Sequence, residues 1–218
     1  MKKSVIVMLI LLSVSAVSAG EQKEGYIITS DRMEATRNGR VVVFIGNVKF
    51  IKDEVTLVSD RIESHEDKDL LLASGSVHGV DRSKEEEVVE VFCERAEYDK
   101  SLSTGVLTGD PRVIKINLKD ETKSVRISGD RIEVFKVEER GTVEGNVVVL
   151  QEDIRAESDL LDYQSEMQEI VLTNGFPVIY QNNDDLDAEY SAEKITMLVD
   201  DKKIIFEDVF EAEIYMKE

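Results

Sequence analysis

The chain has 218 residues, 42% of them apolar and 33% charged, with a net charge of −19 at neutral pH. That balance excludes nucleic acid, whose capture needs a basic face, and it disfavours anionic headgroups, so a lipid would be gripped through its tails. The apolar share is enough for one elongated domain of about 200 residues, or for two fused copies of a smaller one.

Residues 1–19 open with Lys2 and Lys3, continue through the apolar run Val5 to Leu12, and end on Val17 and Ala19 before Gly20. This is the pattern of a cleaved secretory signal peptide. The run from Val5 to Ala19 falls short of the roughly 20 apolar residues that span a bilayer, which makes an uncleaved anchor the secondary reading. Position 20 is Gly rather than Cys, so nothing invites lipid attachment, and 20–218 is expected free in an export compartment.

From there an acid followed by a glycine recurs. The acids are Asp31, Asp60, Glu94, Asp130, Asp159 and Glu193, and the glycines Gly46, Gly75, Gly109, Gly145 and Gly175, with a degenerate sixth at Glu207-Asp208-Val209. The first three acids map onto the last three at a constant offset of 99, so six units group as two triplets, about 25–124 and 125–218. Periods of this size indicate stacked supersecondary units.

Within a unit, apolar and polar residues alternate, which is strand periodicity. The acid opens one strand and the glycine sits within a second. Turns are expected at Asn38-Gly39, Glu66 to Asp69, Asp99 to Ser101, Glu138 to Gly141, Ser165 to Gln168 and Asp200 to Lys203, giving about a dozen strands. In phase with each glycine runs an apolar face: Phe44, Val48 and Phe50; Ala73 and Val77; Leu107 and Val113; Val143, Val147 and Val149. A glycine on that face permits a bend or bulge, and Pro111 and Pro177 interrupt a strand or mark an edge. The opposite face carries Val41, Val43, Ile45, Leu70 and Leu72, read either as a contact row or as two-sided burial.

The chemistry-bearing residues point away from catalysis. Pairs such as Asp31 and Glu34 lie three apart on a strand and face opposite ways, and acids repeated in every unit suit turn-fixing or pairing with Arg32, Arg61, Arg95 and Arg131 better than a metal or glycosidase site. His65 and His78 read as solvated, and the acidic run Glu85 to Glu87 as a solvated loop. Cys93, the single cysteine, fills a slot taken elsewhere by Ser30, Ser59, Gly129, Ser158 and Ala192, so a small buried side chain is expected there.

A signal followed by repeats of Ser-Asp-Arg-Ile-Glu, a turn and apolar-Gly-Asn-Val-apolar resembles the OstA-like family, the periplasmic part of the lipopolysaccharide-transport bridge. The resemblance covers about Tyr26 to Ile214. It is strongest at Ile28 to Ile51 and Ile127 to Leu150, which share Ile28/Ile127, Asp31/Asp130, Arg32/Arg131, Glu34/Glu133 and the Gly-Asn-Val. It implies an all-β fold, a twisted, V-shaped antiparallel β-jellyroll, here one domain over 20–218. An apolar groove lined by Phe44, Val48, Phe50, Val77, Leu107, Val113, Val147 and Val149 would shelter the acyl chains of lipopolysaccharide or another acylated lipid. The implied partners are inner-membrane LptC-like and outer-membrane LptD-like components and further copies of the chain stacked end to end, with no enzyme activity, cofactor or metal. Gly175-Phe176-Pro177 and the lost sixth glycine depart from the pattern and set the C-terminal end apart. The alternatives are an anchored LptC-like subunit or, from another class, a parallel β-helix acting on polysaccharide, whose expected acid-rich unit is not seen.

Overall fold

A computed structural model describes residues 26–217 apart from 37, 38, 200 and 202. The expected leader, residues 1–19, and Asn38 of the expected first turn lie outside the described residues. Sixteen strands are described: β1 (Ile27–Thr29), β2 (Arg32–Ala35), β3 (Val41–Lys52), β4 (Val55–His65), β5 (Leu70–Lys84), β6 (Glu87–Asp99), β7 (Thr104–Thr108), β8 (Arg112–Asn117), β9 (Val125–Ser128), β10 (Arg131–Phe135), β11 (Arg140–Gln151), β12 (Ile154–Gln164), β13 (Glu169–Thr173), β14 (Val178–Asn182), β15 (Leu186–Leu198) and β16 (Lys203–Met216). The all-β, antiparallel expectation holds. Every pairing among these strands is antiparallel, and the other regular pieces are single 3-10 turns at Glu66–Lys68 and Glu121–Lys123.

The dozen strands read from the sequence are present as paths, four of which are broken midway: β1/β2, β7/β8, β9/β10 and β13/β14. Pro111 and Pro177 stand in two of those breaks, where a residue without a backbone N–H costs no ladder bond.

Each long strand crosses two layers and bends at their common edge. One layer runs β2, β3, β4, β5, β6, β7, β10, β11, β12, β13, β15, β16, through the halves of the long strands nearest the expected turns. The other runs β1, β3, β4, β5, β6, β8, β9, β11, β12, β14, β15, β16 through the remaining halves. Two twelve-strand layers joined along one edge thus face each other across a single apolar core.

The bend is built by the glycines. Gly46-Asn47, Gly75-Ser76 and Gly145-Asn146 are consecutive left-handed pairs, with φ of 76 and 46°, 76 and 47°, and 71 and 47°. At each, two residues oppose a single acid on the following strand, Asp60, Glu94 and Asp159 respectively, which is a bulge. The acid of the unit's own first strand lies over the glycine. A methyl group there would meet Cγ of Asp31, Asp60, Glu94, Asp130 or Asp159 at 2.5–3.1 Å. The backbone N–H of Asp31, Glu94 and Asp130 also donates to the carbonyl of its glycine at 2.9 Å. Glycine is required twice over, by φ and by the close carboxylate.

The departures at the C-terminal end take physical form here. The fifth corner widens to three left-handed residues, Asn174, Gly175 and Phe176, and the sixth turns without glycine at Asp208, φ 55°.

Candidate functional site

The interior is two facing sets of cross-strand rows. In the first layer Phe44, Ile62, Ala73, Ala96, Leu107, Ile132 and Val143 are successive register partners. In the second, Ile28, Phe50, Leu57, Gly79, Val91 and Val113 are. Alternation with period two keeps one residue of each pair inward on every strand, so rows of Val, Ile and Leu run across the whole sheet. At about 4.8 Å per strand, the interior is roughly 50 Å long.

All eight residues expected to line a groove are brought to this interior. Phe44 and Leu107 lie in the first layer, Phe50, Val113 and Val149 in the second, and Val48, Val77 and Val147 beside the corner. Seven are 0–7% exposed and Phe44 is half-buried against the core. Packing these aliphatic rows into the interior is favourable by about 25 cal/mol for each Å² of surface removed from water. A small gap of about 50 Å³ remains at the far lip, between Gln151 and Ile154 of one layer and Met197 and Ile204 of the other.

Cys93 takes its small-residue slot at the corner, 7% exposed, and burial pushes its thiol pKa up to about 11. The arginines do not pair with the corner acids. Each pairs with the glutamate two residues on, on the same outer face: Arg61 with Glu63 at 2.7 Å, Arg95 with Glu97 at 3.3 Å, Arg131 with Glu133 at 3.4 Å, and Arg32 with Glu34. Arg61 holds the Glu63 carboxyl below its usual range. These glutamates sit in register beside the outward apolar residues, Val43 between Glu34 and Glu63, Leu72 between Glu63 and Glu97. The outer apolar row is therefore interleaved with charged side chains instead of forming a bare contact face.

The two histidines are not simply solvated. His65 lies 3.2 Å from Glu63, and His78 stacks on Phe92 with ring centres 4.3 Å apart. Among the acidic run, Glu85 and Glu86 form the expected exposed turn, but Glu87 belongs to β6 and points inward. It shares the inner face of Val89 and Val91 and meets Lys84 at 3.2 Å and Lys115 at 3.0 Å. Burial alone would raise its pKa, but the Lys115 contact and the two ammonium charges hold it below the usual carboxylate range. Sequence reasoning missed this cluster because it joins three strands.

The two ends of the sheet also differ from its middle. Among the described residues β1 and β2 pair with β3 alone and β16 with β15 alone, leaving one backbone edge open at each end. Exposed apolar side chains stand there, Ile27 and Met33 at one end and Ile214, Tyr215 and Met216 at the other. Along the lip, successive hairpin tips are tied by backbone bonds, Lys100 N–H to Asp69, Lys136 to Ser103 and Ser165 to Glu139, at 2.8–3.0 Å.

Residues 27–203 match the family described as LptA/(LptD N-terminal domain) LPS transport protein. Among solved structures the chain is similar to LptH of Pseudomonas aeruginosa, described as the LptA homologous periplasmic component of the lipopolysaccharide transport device. That similarity is 13% identity with a TM-score of 0.37, over 70% of this chain and 84% of the other. No curated protein matches the chain.

Proposed function

Because the chain belongs to the LptA/LptD N-terminal family of lipopolysaccharide transport proteins, which carry lipid and are not enzymes, we propose that it is a periplasmic, LptA-like bridge protein sheltering acyl chains between its two layers. The observation that carries this reading is the unbroken apolar interior, running from the β1/β2 end to β16 with no charged residue in its central rows. Water costs an acyl chain about 0.8 kcal/mol per CH₂. Exchanging contacts between facing side chains for contacts with an acyl chain keeps nearly the same apolar area buried, so the layers part along the lip at little cost. The joined corner keeps them in register. Phe44, Val48, Phe50, Val77, Leu107, Val113, Val147 and Val149 are the residues that would touch the chains.

The open edges supply the assembly. Unpaired N–H and C=O groups on β16 accept a further strand, and the β1/β2 edge of a second copy would continue both layers and both apolar rows. The same edges suit LptC-like and LptD-like components at the two membranes. A photo-crosslinking phenylalanine analogue at Phe44, where an aromatic ring already stands, tests the reading in cells. Capture of lipopolysaccharide or another acylated lipid is expected; capture of none, with the protein folded and exported, removes the carrier role.

A further inference from the structure

On a chain of net charge −19, most arginines of the sheet are neutralised where they stand. Arg32, Arg61, Arg95, Arg131, Arg140 and Arg155 each pair with a carboxylate. Arg112 and Arg126 are exposed, and among the described residues neither meets one. Both stand on the outer face of the second layer, Arg112 on β8 and Arg126 on β9. Arg112 pairs with Ser128 and Ile114 with Arg126, so the two arginines are diagonal neighbours, roughly 7–8 Å apart along the sheet. The face around them is apolar. Phe92, the register partner of Arg112, holds the guanidinium 5.7 Å from its ring centre, and His78 stacks on Phe92 from the strand on its other side. Arg126 stands between Ile114 and Leu150, and Val148 follows Ser128 in the row of Arg112. Phe92, Ile114, Val148 and Leu150 are all half-buried. Two acids border the patch, and each sits with a partner of its own: Glu157 bonds Arg155 at 2.6 Å and Glu90 lies 3.7 Å from His78. Counted against Arg112, Arg126 and Arg155, they leave one positive charge over.

Guanidiniums without a carboxylate, set beside an aromatic ring and aliphatic side chains, have the composition of a protein-binding surface. We propose that this outer face docks a partner protein through a segment presenting carboxylates beside apolar side chains. Arg112 and Arg126 take the carboxylates, and Phe92, Ile114, Val148 and Leu150 take the apolar residues. Charge complementarity selects this occupant. A nucleic acid or an anionic bilayer carries extended like charge and meets the field of the whole chain, whereas a segment with one or two acids meets chiefly the two guanidiniums, within a Debye length of about 8 Å. A second copy of the chain is opposed by the same field. The face is separate from the apolar interior and from the open edges, so the inference stands independently of the carrier reading.

The test uses the purified chain and two stapled amphipathic helices, identical except that one carries Glu and the other Gln beside a stripe of Leu. A helix bonds its own backbone groups and does not extend an open sheet edge. Fluorescence anisotropy should show the Glu helix binding about tenfold more tightly than the Gln helix, the scale of one charge-assisted contact. Arg112→Gln with Arg126→Gln should erase that preference, and Arg112→Lys with Arg126→Lys should keep most of it. Ile114→Glu, which gives the two guanidiniums a carboxylate on their own face, should erase it as well. Ile214→Asp with Met216→Asp, on β16, should leave both affinities unchanged. Equal binding of the two helices, binding of neither, or a preference that survives R112Q with R126Q overturns the proposal. Loss of the preference in the β16 variant overturns it too, by placing the contact at the edge, and capture of anionic lipid vesicles through the same two arginines would make a membrane the occupant instead of a protein.

Discussion

The carboxylate of Asp130 stands where a side chain on Gly145 would have to go, its Cγ 2.9 Å from the position of the missing methyl group. Asn146, the next residue, donates to both oxygens of that carboxylate at 2.9 and 3.1 Å, and Asn47 donates to one oxygen of Asp31, Oδ2, at 2.9 Å. Acid, glycine and asparagine are thus one device, in which the glycine makes room, the acid fills it and the amide fixes the acid.

Gly145→Ala should therefore destabilise the protein by about 1–3 kcal/mol, from a left-handed φ on a residue with a Cβ and from displacement of Asp130. Urea unfolding measures this. Combining it with Asp130→Ala should recover the steric part and leave the backbone part, so the two changes should be less than additive. Full additivity would show that the carboxylate does not occupy the space.

Ile214→Asp with Met216→Asp should leave folding unchanged, since both side chains are mostly exposed at 55% and 74%. The end-to-end self-association proposed above, followed by sedimentation, should fall sharply, because charges on an edge strand oppose addition of another. An unchanged association would place the contact elsewhere.

The Glu87 carboxyl is held below its ordinary value by Lys115 and Lys84 against the opposing effect of burial. A depressed folded-state pKa gives stability that is present above the unfolded carboxylate value, near 4.5, and lost as pH falls through the folded one. Unfolding curves from pH 6 to 3 should show this loss, and Glu87→Gln should flatten it while lowering stability at pH 6.

Cys93 is buried and its thiol pKa is about 11, so at neutral pH a thiol reagent should label the protein only after unfolding. Rapid labelling of the native chain would contradict its placement at the corner.

Period-two alternation and the spaced glycines make the strands, the turns and the inward face legible in the sequence, because those features are local. The small slot at Cys93 was readable for the same reason, since each unit repeats it. The spacing of the two layers is not readable there, because the sequence shows which side chains face inward but not how near the opposite layer stands. Glu87 shows the other limit. As part of Glu85-Glu86-Glu87 it looks like a solvated run, and only the pairing of β6 with β5 and β8 brings two lysines to it. Arg61 likewise prefers Glu63 to Asp60 because residues two apart share a face, while Asp60 is committed to Gly75.

Most strands pair with one that lies close in the chain, β3 with β4, β4 with β5, β11 with β12 and β15 with β16. Folding of this kind needs few long loop closures, and any hairpin is able to seed it. The step that lays β16 onto β15 uses one free edge and creates another of the same type. The end-to-end stacking proposed above would repeat that step across a covalent break, with β16 in the place of β15 and the β1/β2 edge of a second copy in the place of β16.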